Sequence, residues 1–173
     1  MIRIAVFAAS FAITLAAFGQ SPELKRGDGQ PDGKKSLGGS GEMVAFKLVG
    51  DGGKVSGIKI HASRYGTPEA PKENFLIYFL SKDESEILRT EMAPYSLLRR
   101  GPEQWVDVKF SKPVSLPKEF WIALDFRAGR TKGAYVSFDT STAGRFSRIG
   151  LPGMESKETD FSGDWMVEVD LAE

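Results

Sequence analysis

The chain of 173 residues contains no cysteine and only one histidine, His61. A disulfide framework is therefore excluded, as is lipid modification of a cysteine, and the domain must be stabilised by its core. Zinc sites built from cysteines or from several histidines are excluded too, because a single imidazole supplies a single ligand. The H-E-x-x-H and C-x-x-C strings of metal and redox sites are also missing.

Neither sign of charge predominates, since 23 Lys and Arg residues balance 23 Asp and Glu residues. This balance gives no indication of a basic surface that would attract nucleic acids or anionic membranes. We therefore expect no nucleic-acid partner. Amphipathic helical patterns of useful length are missing as well, which directs attention to strands.

The first 19 residues have the three-part layout of a secretory signal. Arg3 is followed by an apolar run over residues 4–18, and Ala17 with Gly19 forms a small-x-small cleavage site. The run is shorter than the stretch of about 20 residues that spans a bilayer. We predict a signal peptide at 1–19, a secreted or periplasmic location and no transmembrane segment after its removal. A retained membrane anchor is the alternative.

Residues 20–41 are rich in Gly, Pro, Lys and Asp and contain almost no apolar anchor. Such a composition does not repay the entropy of ordering, so we predict a flexible linker leading into a domain at 42–173. Residues 26–28 spell Arg-Gly-Asp, a cell-adhesion tripeptide that also arises often by chance. Residues 28–33 half-match a calcium loop, but Gly39 stands where the loop needs a bidentate Glu.

From residue 42 onward, apolar residues alternate with polar ones at the period of two that is typical of strands. Turn-type sequences such as GDGG, RRGPE and RAGRTKG separate these segments. The pattern predicts an all-β domain built as an antiparallel β-sandwich of seven to nine strands, with a closed barrel as the alternative. The alternating segments are EMVAFKLV, KVSGIKIHA, NFLIYFL, QWVDVKF, FWIALDF, GAYVSFD and DWMVEVDL.

Several segments resemble jelly-roll modules of galactose-binding-like type, which occur as accessory domains in secreted bacterial hydrolases, peptidases and adhesins. The resemblance covers about residues 36–173 and depends chiefly on the Trp-Ile-Ala-Leu strand and the terminal Asp-Trp-Met strand. It implies a jelly-roll-like sandwich with a binding or spacing role, although a fold alone does not settle function. The segments are KIHASRYGTP, NFLIYFLSKD, FWIALDF, GAYVSFDTSTAGRFSRIGLPG and GDWMVEVDL.

His61 is the only candidate for a catalytic base of the imidazole type. Alternation places Ile58, Ile60 and Ala62 on one face of the strand, so His61 lies on the opposite, outer face. No serine sits in a nucleophile elbow, and the sequence has no other local catalytic string. We predict a surface histidine in a protein that is not an enzyme. The alternative is a small secreted hydrolase with His61 as base, which requires a serine hydroxyl and a carboxylate near the ring.

The residues after this strand read Arg-Tyr-Gly-Thr-Pro and predict a tight corner. Gly66 permits a positive φ, Pro68 prevents further strand pairing, and Arg64 can donate to loop carbonyls. Corners of sandwiches often lie beside binding loops. Arg64 and Tyr65 are therefore candidate ligand-binding residues.

Two strands carry aromatic and acidic residues on their outer faces, Trp121 with Asp125 and Tyr135 with Asp139. If these strands pair, the four side chains form one surface. A pyranose stacks its apolar face on an aromatic ring, and its hydroxyls bond to carboxylates. The pattern therefore indicates a site for a glycan or a protein partner. Alternatively, the rings of Trp121 and Tyr135 are covered and belong to the core.

The sequence thus favours a secreted, non-catalytic binding module for a carbohydrate or a cell-surface protein. A structural or adhesive spacer is the alternative, and the oligomeric state stays open. No cofactor is expected, although a structural calcium ion remains an alternative because acidic residues lie near strand ends. These acidic residues are Asp139, Asp160 and Asp164.

Overall fold

The computed structural model describes residues 24–36, 42–47 and 53–172. The predicted signal peptide at 1–19 lies outside these ranges. In the described part of the chain, the only helix is a single 3-10 turn at Tyr95–Leu97. The strands are β1 (Gly33–Lys35), β2 (Glu42–Lys47), β3 (Gly53–Gly66), β4 (Asn74–Leu80), β5 (Ile87–Pro94), β6 (Gln104–Leu116), β7 (Glu119–Asp125), β8 (Lys132–Asp139), β9 (Ser147–Ile149), β10 (Lys157–Glu158), β11 (Asp164–Trp165) and β12 (Val167–Leu171).

The strands form two antiparallel sheets. Sheet A has the order β1-β8-β3-β6, with β11 paired to β8 and β12 paired to β3, and sheet B has the order β10-β9-β2-β7-β4-β5. The first eight strands thus give the 1-8-3-6 and 2-7-4-5 sheets of a jelly roll. The prediction of an antiparallel, jelly-roll-like β-sandwich is confirmed, and the sheets do not close into a barrel. The structure describes twelve strands, more than the seven to nine predicted. Eight of them have five or more residues, and seven of these eight coincide with the alternating segments, whereas β5 was not among them.

The core lies between the two sheets and is built from the inward positions of each strand. On β3, Ile58 and Ile60 are fully buried, while on β7 the same is true of Phe120, Ile122 and Leu124. Residues of both sheets form one continuous apolar cluster, which includes Trp165 of β11. The inner and outer faces inferred from alternation are therefore correct on these strands.

The C-terminal strands enter sheet A between β3 and β8 and divide that ladder. Next to the pairing of β3 with β8, the Met166 amide donates to the carbonyl of Ser137 at 2.9 Å, and the His61 amide donates to the carbonyl of Met166 at 3.0 Å. Beyond this point β12 replaces β8 as the partner of β3. The fork brings His61 and Ser137 close together on the outer face of sheet A.

The prediction of a flexible linker over 20–41 is wrong for residues 24–36, which pack on the sandwich. Strand β1 pairs with residues 136–138 of β8. Leu24 exchanges two backbone hydrogen bonds with Val169, at 3.2 and 3.4 Å. The linker was inferred from the scarcity of apolar side chains, but backbone pairing needs none. The domain therefore begins before residue 42, with β1 as the first strand of the jelly roll.

The two motif-like strings in this segment serve as anchors. The Arg26 guanidinium lies 3.6 Å from the centre of the Phe146 ring. The carboxylate of Asp32 accepts hydrogen bonds from the amide and hydroxyl of Thr140, at 2.7 and 2.6 Å. These contacts tie the segment to the loop after β8, which favours a structural role for both strings over adhesion or calcium binding.

Candidate functional site

The predicted row of Trp121, Asp125, Tyr135 and Asp139 does not form. Trp121 and Asp125 lie on β7, whose partners are β2 and β4 in sheet B. Tyr135 and Asp139 lie on β8 in sheet A. The predicted pairing of β7 with β8 is therefore wrong, because the connection between them crosses from sheet B to sheet A.

Trp121 lies on the outer face of sheet B and is half-buried. Its Nε1 donates to the carbonyl of Lys82 at 3.1 Å, and its ring packs on a small apolar cluster with Leu80 and Ala123. Asp125 at the end of β7 accepts a hydrogen bond from the amide of Arg127 at 2.8 Å. Trp121 is thus neither a core residue nor a fully open platform.

Asp139 is buried and anchors the N-terminal segment. Its carboxylate accepts hydrogen bonds from the amides of Asp28, Gly29 and Ser141, at 2.9, 3.1 and 2.8 Å. Burial raises the pKa of this carboxyl, but the hydrogen bonds from Ser141 and from the other amides outweigh that effect, so the pKa is lowered. Because both of its carboxylate oxygens accept hydrogen bonds from backbone amides, Asp139 has a structural role and holds the N-terminal segment against the end of β8.

The corner after β3 is built as the sequence predicts. Gly66 has a φ of 96°, in the left-handed region that favours glycine. Arg64 is buried and donates from its two terminal nitrogens to the carbonyls of Thr67 and Pro68. Arg64 therefore holds the corner together, which leaves Tyr65 as the surface residue of this pair.

A group of aromatic and polar side chains covers the outer face of sheet A around the fork. Its three aromatic side chains are half-buried, and the rings of Tyr65 and Tyr135 have centroids 5.1 Å apart. The hydroxyl of Tyr65 donates to the carbonyl of Gly129 at 3.0 Å. We call this group the polar-aromatic patch; it consists of Lys34, His61, Ser63, Tyr65, Glu103, Trp105, Tyr135 and Ser137.

Glu103 is the charged centre of the patch. One of its oxygens accepts hydrogen bonds from the Ser63 hydroxyl at 2.6 Å and from Lys34 Nζ at 2.7 Å. Burial raises the pKa of Glu103, but these two donors outweigh it and hold the pKa below its ordinary value. Lys34 Nζ also lies 5.0 Å from the centre of the Tyr135 ring. The carboxylate is thus ionised and held in place beside an aromatic surface.

His61 lies on the outer face, as predicted, but it is buried and not a surface residue. Its Nδ1 is 2.8 Å from the hydroxyl oxygen of Ser137, and its ring meets the Trp105 ring edge-on at 5.2 Å. Desolvation lowers the pKa of His61, and the charge of Glu103 opposes this only in part. The imidazole is therefore neutral near pH 7.

The His61–Ser137 pair lacks the further parts of a catalytic triad in the described residues. No carboxylate is hydrogen-bonded to the imidazole there, since Glu103 bonds to Ser63 and Lys34 instead. Ser137 is only 1% exposed, which keeps a substrate carbonyl from its hydroxyl. A triad needs a third group that orients the base and an accessible nucleophile. The geometry favours a structural hydrogen bond over nucleophilic catalysis.

The lowered pKa of His61 makes the protein's stability depend on pH in a defined direction. The unfolded chain binds a proton near pH 6.5, whereas the folded protein binds it only at lower pH. The free energy of unfolding should therefore fall as the pH drops below 6.5 towards the lowered pKa. Urea denaturation at pH 7.5, 6.5 and 5.5 measures this slope. A His61→Gln variant should show a shallower slope, and an unchanged slope in that variant would contradict the assignment.

The acidic residues proposed for calcium do not form a metal-binding group. Among residues 24–36, 42–47 and 53–172 the structure contains no cluster of three or more His, Asp or Glu side chains suited to a metal ion. Asp160 bonds to Lys35 Nζ, and Asp164 accepts a hydrogen bond from the Phe146 amide at 2.9 Å. A structural calcium ion stays a prediction.

Of the residues in the patch, the sequence predicted ligand binding only for Tyr65 and Tyr135. Glu103 stands in a turn-type sequence, and Lys34 stands in the predicted linker. Only Trp105 gave a usable signal, because its parity opposite Val106 and Val108 indicated partial exposure. In residues 24–36, 42–47 and 53–172, no helix has the length and apolar character needed to cross a bilayer.

Comparison with known proteins adds no assignment for this surface. No protein-family model matches the chain, and no curated protein matches it significantly. The resemblance to galactose-binding-like modules therefore stays a prediction. The function has to be argued from the geometry of the patch.

Proposed function

We propose that the protein is a secreted or periplasmic, non-catalytic binding module whose polar-aromatic patch binds a glycan. The observation that carries the proposal is a set of half-exposed rings beside a carboxylate that is already ionised and oriented. Sites for small ligands combine apolar and aromatic walls with a few fixed polar groups. The patch has this composition on one outer face of the sandwich.

The rings supply the apolar part of such a site. Tyr65 and Tyr135 lie side by side, with an angle of 50° between their planes, and Trp105 lies beyond His61 on the neighbouring strand. An inclined pair of rings offers an apolar surface on which a pyranose ring can stack. A tyrosine also combines its apolar ring with a hydroxyl that can hydrogen-bond to a sugar. The Tyr65 hydroxyl, which donates to Gly129, is still able to accept a hydrogen bond.

The polar groups supply orientation. Glu103 has a second carboxylate oxygen that is not engaged with Ser63 or Lys34. A charged acceptor forms hydrogen bonds about twice as strong as those of a neutral one, so this oxygen suits a sugar hydroxyl. Because Lys34 and Ser63 already hold the carboxylate, little side-chain entropy is lost when a ligand binds.

An alternative partner for the same patch is an extracellular protein, since Tyr and Trp also anchor protein interfaces. A hydrolase that uses His61 is less well supported, because Ser137 is buried and the ring has no carboxylate partner in the described residues. A purely structural spacer would not need an ionised carboxylate held among half-exposed rings.

A glycan array with the wild-type protein and the Tyr135→Ala and Trp105→Ala variants tests the proposal. Truncation of an aromatic anchor costs on the order of 2 kcal/mol, so each variant should bind at least about tenfold more weakly. Tyr78→Ala is the matched control, because Tyr78 is a half-buried tyrosine on the outer face of sheet B. The control should bind like the wild type, and melting temperatures identify any loss that is due to unfolding.

Three outcomes contradict the proposal. Wild-type protein that binds no glycan on the array removes the ligand class. An equal loss of binding in Tyr78→Ala shows that the patch is not the site. Hydrolysis of a p-nitrophenyl ester by the wild type that disappears in Ser137→Ala shows an enzyme.

A further inference from the structure

Strand β5 is an edge of sheet B, and in the described residues no strand pairs with its outer side. Its ladder partner there is β4 alone, through residues 87–94. Strand β6 of sheet A runs near this side, but a cavity of about 300 Å³ lies between Leu88 and Arg89 of β5 and residues 112–115 of β6. An edge strand carries a row of unpaired backbone groups, which can pair with a strand of another chain.

The backbone of β5 directs its even-numbered positions towards this free edge. Just after the strand, the Tyr95 amide donates to the carbonyl of Glu73 at 3.0 Å. Hydrogen-bonded pairs recur at every second residue of an antiparallel ladder, so the backbone groups of Glu91 face β4 in the same way. Those of Thr90 and Met92 therefore point away from β4, and both residues are exposed.

Exposed apolar side chains are concentrated along the same edge. Of the five large apolar side chains that are exposed in the described residues, Ile87 and Met92 lie on β5, and Leu97 lies in the turn that follows it. Met92 is 65% exposed and stands beside the half-buried Leu76 of β4. Apolar side chains that are exposed together mark a surface for association with another protein.

The charges on β5 are complementary to those of a second copy of the strand. Arg89 and Glu91 flank Thr90, and within one chain they form an ion pair at 2.8 Å. If two copies of β5 run antiparallel about a two-fold axis at Thr90, position 89 of each copy lies opposite position 91 of the other. Each arginine then faces a glutamate across the interface, which stabilises this register. The bulge at residue 88 and Pro94, which disfavour edge pairing, lie at its ends.

From the unpaired backbone, the exposed apolar side chains and the self-complementary charges, we propose that β5 is the interface of a homodimer. The two copies of sheet B join edge to edge through backbone hydrogen bonds at Thr90 and Met92. Met92 of each copy lies against the start of β5 of the other. The interface is short, so the dimer belongs to the weak class that buries less than about 1,200 Å². The polar-aromatic patch lies on sheet A and takes no part in it.

Cysteine cross-linking tests the register, because the chain contains no cysteine of its own. In a hydrogen-bonded antiparallel pair the Cα atoms are about 5.5 Å apart, which a disulfide can bridge. Thr90→Cys should therefore form a disulfide-linked dimer under mild oxidation. Met92→Cys is the matched control on the same edge, since its two cysteines would be offset by four residues, roughly 13 Å. The control should cross-link at least about tenfold more slowly, because a disulfide cannot span that distance.

Sedimentation velocity of the full chain measures the association itself. The wild type should shift from monomer to dimer as its concentration rises from the micromolar to the millimolar range. Thr90→Pro should stay monomeric, because proline removes an N–H that faces the free edge and leaves the ladder to β4 intact. Melting temperatures identify any variant that fails to fold.

Charge reversal adds a test that a general loss of stability cannot imitate. Arg89→Glu and Glu91→Arg each place like charges opposite one another, so each variant alone should dimerise at least about tenfold more weakly. An equimolar mixture of the two variants restores opposite charges at both positions. The mixture should therefore form heterodimers with about the affinity of the wild type.

The homodimer is refuted if the wild type remains monomeric at millimolar concentration, which would leave the edge to a strand of another protein. A dimer that persists in a folded Thr90→Pro variant would place the interface elsewhere. Equal cross-linking of Thr90→Cys and Met92→Cys would overturn the register, and a mixture that associates no better than its two components would show that the charges do not meet.

Discussion

Replacement of Asp139 with alanine is expected to lower the free energy of unfolding by roughly 2–4 kcal/mol. The carboxylate is buried and accepts hydrogen bonds from the amides of Asp28, Gly29 and Ser141. Hydrogen bonds to a charged acceptor contribute more than neutral ones, and removal of the acceptor leaves several donors without a partner. The N-terminal segment should therefore detach from the end of β8.

Urea denaturation measures the loss of stability, and limited proteolysis measures the release of residues 24–32. Asp28→Ala is the control, because within the described residues the Asp28 carboxylate accepts a single, exposed hydrogen bond, from the amide of Gln30. That variant should change stability by less than about 0.5 kcal/mol, as is usual for surface positions. A stable Asp139→Ala variant with wild-type resistance to protease would show that the segment is held by β1 alone.

Replacement of Gly66 with alanine is expected to cost roughly 3 kcal/mol and to disorder the corner that carries Tyr65. The φ of Gly66 is 96°, which strains any residue with a Cβ atom. An added Cβ would also lie 2.0 Å from the carbonyl oxygen of Thr131, a backbone atom that cannot rotate away. Because backbone strain and the steric clash with Thr131 both arise at Gly66, the loss of stability should exceed the loss that strain alone would cause.

Two other glycines separate these costs. Gly153 has a φ of 78° but open space around its Cβ position, so Gly153→Ala reports backbone strain alone. Gly129 has neither a positive φ nor a neighbour within 4 Å, so Gly129→Ala should leave the melting temperature unchanged. The loss should be largest for Gly66→Ala and smallest for Gly129→Ala. Any other order would mean that the backbone of the corner relaxes to accept the side chain.

The sequence alone determined most of the long strands and their two faces, although it missed β1 and β5. Alternation placed Phe120 and Ile122 inward with Trp121 outward, and it placed Ile60 inward with His61 outward, all as the structure shows. This succeeds because the side-chain direction along a strand depends only on the local backbone. The positive φ at Gly66 was predictable for the same reason, since it follows from a short turn sequence.

Only the tertiary structure decided which strands are neighbours. The sequence suggested that Tyr135 lies beside Trp121, because the two strands that carry them follow one another along the chain. In the jelly roll, however, β7 and β8 belong to different sheets. Period-two alternation states which face a residue occupies and carries no information about the sheet. The choice of sheet depends on how all the strands together cover the core.

The candidate site shows the same division. Tyr65 and Tyr135 were candidates from the sequence, whereas the charged centre of the patch was not. Lys34 and Glu103 are 69 positions apart, and they meet only because β1 joins the edge of β8 while the turn before β6 reaches the same face. Contacts between distant segments arise from the packing of the whole sandwich. The sequence therefore determined the alternating strands and their faces, and the tertiary structure assembled the site.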